Sequence, residues 1–128
     1  PQRKVHHGQN VKRLREMLNI KQEALADKIN VAQQTLSRYD VQEKLDDELL
    51  EKIAKELNIP VEAIKNFTEE GALNIISNTF QDEAFMGEVI HYNPTFNPID
   101  KVVELYERML KEKEERISFL EKILMEKK

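Results

Sequence analysis

In the stretch NVAQQTLSRYDV, two adjacent glutamines, Gln33 and Gln34, precede Arg38 by about one helical turn. A carboxamide sets a donor beside an acceptor, the pattern that matches adenine N6 and N7. A guanidinium offers parallel donors, which suit guanine O6 and N7 or a phosphate. Between them stand Thr35, whose methyl can meet a thymine methyl, and Ser37, whose hydroxyl can meet a base edge or a phosphate. The same residues on an ordinary surface helix form a solvated face. Residue type alone therefore leaves two readings open, and the neighbouring elements must separate them.

Other chemistries find little material. The chain has no cysteine, so neither a disulfide framework nor a thiolate metal cage is available, which fits a reducing cytoplasm. His6 and His7 lack a third ligand at useful spacing and read as part of an exposed basic arm, so no metal is expected. The carboxylates fall on solvated helix faces, and His91 reads as a strand-surface residue. No phosphate-binding glycine loop or nucleophile constellation occurs, so no catalytic residue, no cofactor and no enzymatic activity are expected. No apolar run reaches the roughly 18 residues of a membrane span, and PQRKVHHGQN has no secretory apolar core. These features predict a cytoplasmic protein that does not engage membranes.

The net charge of −4 conceals a division. Residues 1–45 hold 9 Lys/Arg against 5 Asp/Glu, whereas residues 46–128 hold 11 against 19. A basic front and an acidic rear suit one face turned toward a polyanion.

Periodicity supplies the elements that would position these groups. Val11, Leu14 and Leu18 predict a first helix over 8–18, ended by Asn19, a residue that tolerates the left-handed conformation. Leu25, Ala26 and Ile29 predict a second over 22–29, ended by Asn30. The glutamine stretch becomes a third, roughly 33–40, with Leu36 and Tyr39 inward. Leu49, Leu50, Ile53, Ala54 and Leu57 stripe a fourth over 46–57, and Pro60 opens a fifth carrying Val61, Ile64 and Phe67. Thr68 caps a sixth, with Leu73, Ile76 and Phe80 inward. EVIHYNPTF, β-branched and aromatic with prolines close behind, predicts a short strand or extended connector. Asn97 followed by Pro98 then opens a helix that runs to the C-terminus. The expected architecture is all-α: a compact five-helix domain, a further helix, a strand or connector, and a long terminal helix.

QEALADKINVAQQTLSRYD meets the demands of two helices crossing steeply at a tight turn. Ala26 is small at the crossing, Asn30 suits positive φ, and Leu36 anchors the second helix. Together with the preceding LREMLNIK and the following LLEKIAKELNIP, residues 8–66 resemble the Cro/repressor (XRE-like) family of helix-turn-helix transcriptional regulators, a lambda-repressor-like fold. The resemblance implies a DNA-binding domain over 8–67, preceded by a basic arm over 1–7 and followed by a helix plus connector over 68–99.

The resemblance also implies roles. Gln33 and Gln34 open a recognition helix in the major groove, with Arg38, Thr35 and Ser37 as further readers of base edges. Gln22 opens the second helix against a phosphate, and Lys21 and Lys44 are candidate phosphate contacts. Arg15 pairs with Asp40, which closes the recognition helix, in a structural role. The chain departs from the family pattern in three places. Ala32 stands where Ser or Thr often caps the recognition helix, Asp40 stands for a more usual glutamate, and no glycine follows that helix in VQEKLDD.

The remaining 100–128 segment places Val103, Tyr106, Leu110, Ile117, Leu120 and Leu124 at spacings of three and four, interrupted by Lys113 and Lys127. That is the a/d seam of a coiled coil, and Arg116 at g can reach a partner's Glu121 at e in a parallel pair. The sequence therefore predicts a DNA-binding transcriptional regulator, a homodimeric repressor that binds double-stranded DNA. The alternative is an antitoxin-like interaction module whose acidic tail binds another, unidentified protein.

Overall fold

A computed structural model describes residues 5–127; Arg3 and Lys4 of the basic arm lie outside the described residues. Within that span the chain forms eight helices and no strand: α1 (His7–Met17), α2 (Gln22–Lys28), α3 (Gln33–Asp40), α4 (Asp47–Leu57), α5 (Glu62–Lys65), α6 (Glu69–Thr79), α7 (Glu83–Tyr92) and α8 (Pro98–Glu126). The chain divides into two compact units, one running to Phe96 and the other starting at Asn97. Among the described residues no helix is long and apolar enough to cross a membrane.

Three of the helices end by one device. Asn19, Asn30 and Asn58 all have φ near 60° (60°, 58° and 58°), the left-handed region that asparagine tolerates better than other residues with a Cβ. The following amide then reaches back across the turn. Ile20 N donates to Arg15 O at 2.8 Å, Val31 N to Ala26 O at 3.0 Å, and Ile59 N to Ala54 O at 3.0 Å. These bonds satisfy carbonyls that a helix end would otherwise leave open. The apolar neighbours on either side are thereby swung into the core: Leu18, Ile20, Ile29, Leu57 and Ile59 are all buried.

The core of the first unit is one cluster. Val11 and Leu14 of α1, Leu25 of α2, Leu36 of α3, Leu50 and Ile53 of α4 and Ile64 of α5 are essentially inaccessible. Each such side chain contributes about 1.5–3 kcal/mol through burial. Ala72 and Ile76 of α6, and Phe85, Met86 and Val89 of α7, belong to the same cluster. Packing is therefore continuous from α1 to α7.

The segment around 87–93, expected as a strand or extended connector, is the helix α7. Asp82 caps it, its Oδ1 accepting from Phe85 N at 3.2 Å. Phe85, Met86 and Val89 are then carried inward at helical spacing. Burial of that stripe outweighs the strand preference of Val89, Ile90 and Tyr92. His91 accordingly lies on a helix rather than a strand.

The second unit is the single helix α8. Asn97 caps it, with Oδ1 accepting from Ile99 N at 3.0 Å and Asp100 N at 3.3 Å, and Pro98 fills the first turn. Glu104 sits between Lys101, at 3.8 Å, and Arg108, at 3.2 Å.

Candidate nucleic-acid interface

Ala24, Leu25 and Ala26 bury the inner face of α2, and Leu36 carries α3 onto it. The turn between them is closed by the Asn30 stop. α3 begins at Gln33 with Ala32 in the capping position and no side-chain bond to its first amides. Relative to a Ser or Thr cap this costs about 1 kcal/mol, so tertiary contacts have to hold the helix in place.

The main such contact is a chain of side-chain hydrogen bonds. Arg15 Nη2 of α1 lies 3.2 Å from Asp40 Oδ2 at the end of α3, and both side chains are 8% exposed. Arg15 Nη1 also donates to Ile20 O at 3.3 Å. The same Asp40 oxygen accepts from Gln22 Nε2 at 3.0 Å. Gln22 Oε1 in turn accepts from Gln33 Nε2 at 3.2 Å. A buried charge pair is thus linked through the first residue of α2 to the first residue of α3. The relay orients the Gln33 carboxamide before any ligand arrives.

The rest of α3 sorts by exposure. Gln33, Gln34, Ser37 and Arg38 are exposed, whereas Leu36 and Asp40 are buried. Gln33, Gln34 and Ser37 line a shallow concavity together with Gln22 and Ala32. Thr35 is half-buried, and its hydroxyl accepts from Arg38 Nη2 at 3.3 Å, so it lies beside the outward face rather than at its centre. Lys21 precedes α2 and Lys44 lies in the loop after α3, both exposed.

Two residues to which sequence reasoning gave no such role, His7 and Gly8, anchor the chain just beyond α3. Gly8 N donates to Gln42 O at 3.0 Å, and His7 N to Glu43 O at 2.8 Å. His7 Nδ1 accepts from Leu45 N at 3.1 Å, and His6 Nδ1 caps α1 by accepting from Gln9 N at 2.9 Å. A Cβ on Gly8 would fall 2.2 Å from Tyr39 O and 2.8 Å from Asp40 C. Only glycine permits α1 to cross the end of α3 this closely. The two histidines, expected in an exposed arm, are backbone-capping groups. Among the described residues no group of three or more His, Asp or Glu could hold a metal ion.

Residues 11–64 match a family model described as helix-turn-helix. This segment is a helix-turn-helix domain of the Cro/repressor, XRE-like family. Neither the comparison with curated proteins nor that with solved structures returned a match. The matched span runs from Val11 within α1 to Ile64 within α5, so it contains both helices of the motif and the Arg15–Asp40 pair. Residues 11–64 are accordingly a helix-turn-helix domain of the kind that binds DNA.

Proposed function

We propose that this protein is a sequence-specific repressor that binds double-stranded DNA as a homodimer on a two-fold related operator. The observation that carries the reading is the outward face of α3, where Gln33 is pre-oriented by Gln22 while Gln34, Ser37 and Arg38 stand exposed. Placed in the major groove, Gln33 and Gln34 pair with adenine edges, and Arg38 reaches guanine or the flanking phosphate. Ser37 contacts a base edge, and Thr35 acts chiefly by steadying Arg38. Gln22, Lys21 and Lys44 hold the backbone on either side and set the register of the helix.

One small domain makes few phosphate contacts, so two linked copies are needed for tight binding. The apolar seam of α8, from Val103 to Leu124, supplies the link. Repression follows from occupancy of a promoter in the cytoplasm.

Selection from a random duplex library should recover a motif with two-fold symmetry. Fluorescence anisotropy would then compare that duplex with a scrambled one at two salt concentrations. Both affinities should fall with salt, with the selected site retaining a preference of at least about a thousandfold. Equal affinity for the two duplexes would overturn sequence-specific binding.

A further inference from the structure

The proposed dimer leaves open how the two copies of α8 lie against each other. We infer that α8 pairs with α8 of a second copy in parallel and in register, with Arg116 of each helix set against Glu121 of the other. The inference rests on the dimer reading, and it takes its argument from charge.

The apolar residues of the seam are exposed. Val103, Tyr106, Leu110, Ile117, Leu120 and Leu124 are between 40% and 65% exposed, at positions that repeat every seven residues. Side chains of this kind, spaced in this way, fit a second helix carrying the same repeat. The residues flanking the seam select the direction. On one side, at e, stand Glu107, Glu114 and Glu121. On the other, at g, stand Met109, Arg116 and Ile123.

Two parallel helices bring each e residue of one against a g residue of the other. Glu114 then meets Met109, and Glu121 meets Arg116, twice over by symmetry. No acidic residue of this edge faces another. Antiparallel helices instead bring e against e and g against g. In the register that overlaps the seams fully, Tyr106 faces Leu124, Leu110 faces Leu120 and Lys113 faces Ile117. That register also sets Glu107 against Glu121, Glu114 against Glu114 and Arg116 against Arg116. Every ion pair is then replaced by a like-charge contact, which destabilises by about as much as the matched pair stabilises.

Lys113 is the residue that opposes this choice, because parallel pairing sets its two copies across the seam. A lysine there keeps its ammonium at the surface by running its methylenes along the apolar stripe. It lowers the affinity of the pair without reversing its direction. The outcome is a dimer in which both copies of Asn97 emerge at one end of the coil. Antiparallel pairing would separate them by about 40 Å, the length of the helix.

The absence of cysteine makes the test direct. Full-length Tyr106→Cys and Leu124→Cys proteins are oxidised separately and as a mixture, and the disulfides are identified by mass spectrometry. Sedimentation equilibrium on each reduced protein reports its association. Parallel pairing gives a dimer with same-site disulfides in both separate samples. A dimer that yields the mixed 106–124 disulfide and no same-site product overturns the orientation while leaving the dimer standing. A monomer at high concentration overturns both, and returns the seam to some other partner.

A charge exchange on the unmodified sequence gives a second readout. Arg116→Glu should weaken the dimer by about three- to tenfold, and adding Glu121→Arg should restore it. Weakening by Arg116→Glu alone marks the parallel register, because the antiparallel one would only exchange a contact between two arginines for one between two glutamates. A dimer unchanged by that single variant overturns the parallel register. A double variant no tighter than the single one overturns the parallel register.

Discussion

Gly8, in the first turn of α1, and Gly87, in the middle of α7, should respond to alanine with opposite signs. Alanine is favoured over glycine in a helix interior by roughly 0.5–1 kcal/mol, and by less in the first turn. At Gly87 a Cβ would meet nothing within 4 Å, so Gly87→Ala should stabilise by about that amount. At Gly8 the Cβ would lie 2.2 Å from Tyr39 O and 2.7 Å from Gln42 O, both backbone atoms. Ordinary contact begins near 3.4 Å, so the end of α3 must retreat by roughly 1 Å. Overpacking of that order costs about 1–3 kcal/mol, enough to outweigh the helix gain. The retreat also shifts Arg38 and the loop bearing Lys44, so operator affinity should fall about tenfold beyond any loss from unfolding. Urea denaturation of both variants, with anisotropy titrations run where each is fully folded, measures the two effects. A Gly8→Ala protein that gained stability and kept its operator affinity would refute the close approach and its role in seating α3.

Gln33→Ala and Gln34→Ala should each relax preference at one base position by about 1–3 kcal/mol, read from titrations against single-base operator variants. Unchanged preference in both would remove α3 from the groove. Arg15→Ala should destabilise the domain by about 3–5 kcal/mol by leaving Asp40 buried without its charge partner, whereas Arg15→Met with Asp40→Leu should recover much of that loss in urea melts yet bind DNA less selectively. Asn58→Ala should cost about 1–2 kcal/mol through its left-handed backbone, and Asn58→Gly less, as seen by thermal unfolding. Truncation after Asp100 should leave a folded monomer in sedimentation; an unchanged dimer would place the interface outside the α8 seam.

The parts of the fold legible in the sequence were those specified locally. Asn19 and Asn30 announced helix stops because their backbone preference does not depend on distant contacts. Thr68, and Asn97 before Pro98, likewise announced helix starts. α7 was illegible for the opposite reason. Val89, Ile90 and Tyr92 carry strand preference in a window too short for a helical stripe to declare itself, and Gly87 weakens that stripe further. Only the presence of the core under Phe85, Met86 and Val89 decides the matter. At the site, Gln33, Gln34 and Arg38 could be singled out by chemistry and motif. The anchoring roles of His7 and Gly8 could not, because their partners at 39–45 lie more than thirty residues along the chain. A glycine whose task is close approach looks, in one dimension, like any other glycine.

The relay from Arg15 through Asp40 and Gln22 to Gln33 divides the reading surface into two kinds of residue. Gln33 shares its carboxamide with the fold, so replacing it disturbs Gln22 as well as the proposed base contact. Gln34 and Ser37 make no side-chain hydrogen bond to the described residues. They are free to mutate without penalty elsewhere in the domain. As a lineage carrying this domain acquires new targets, inherited changes in preference should therefore accumulate first at positions 34 and 37, with position 33 held back by its second obligation.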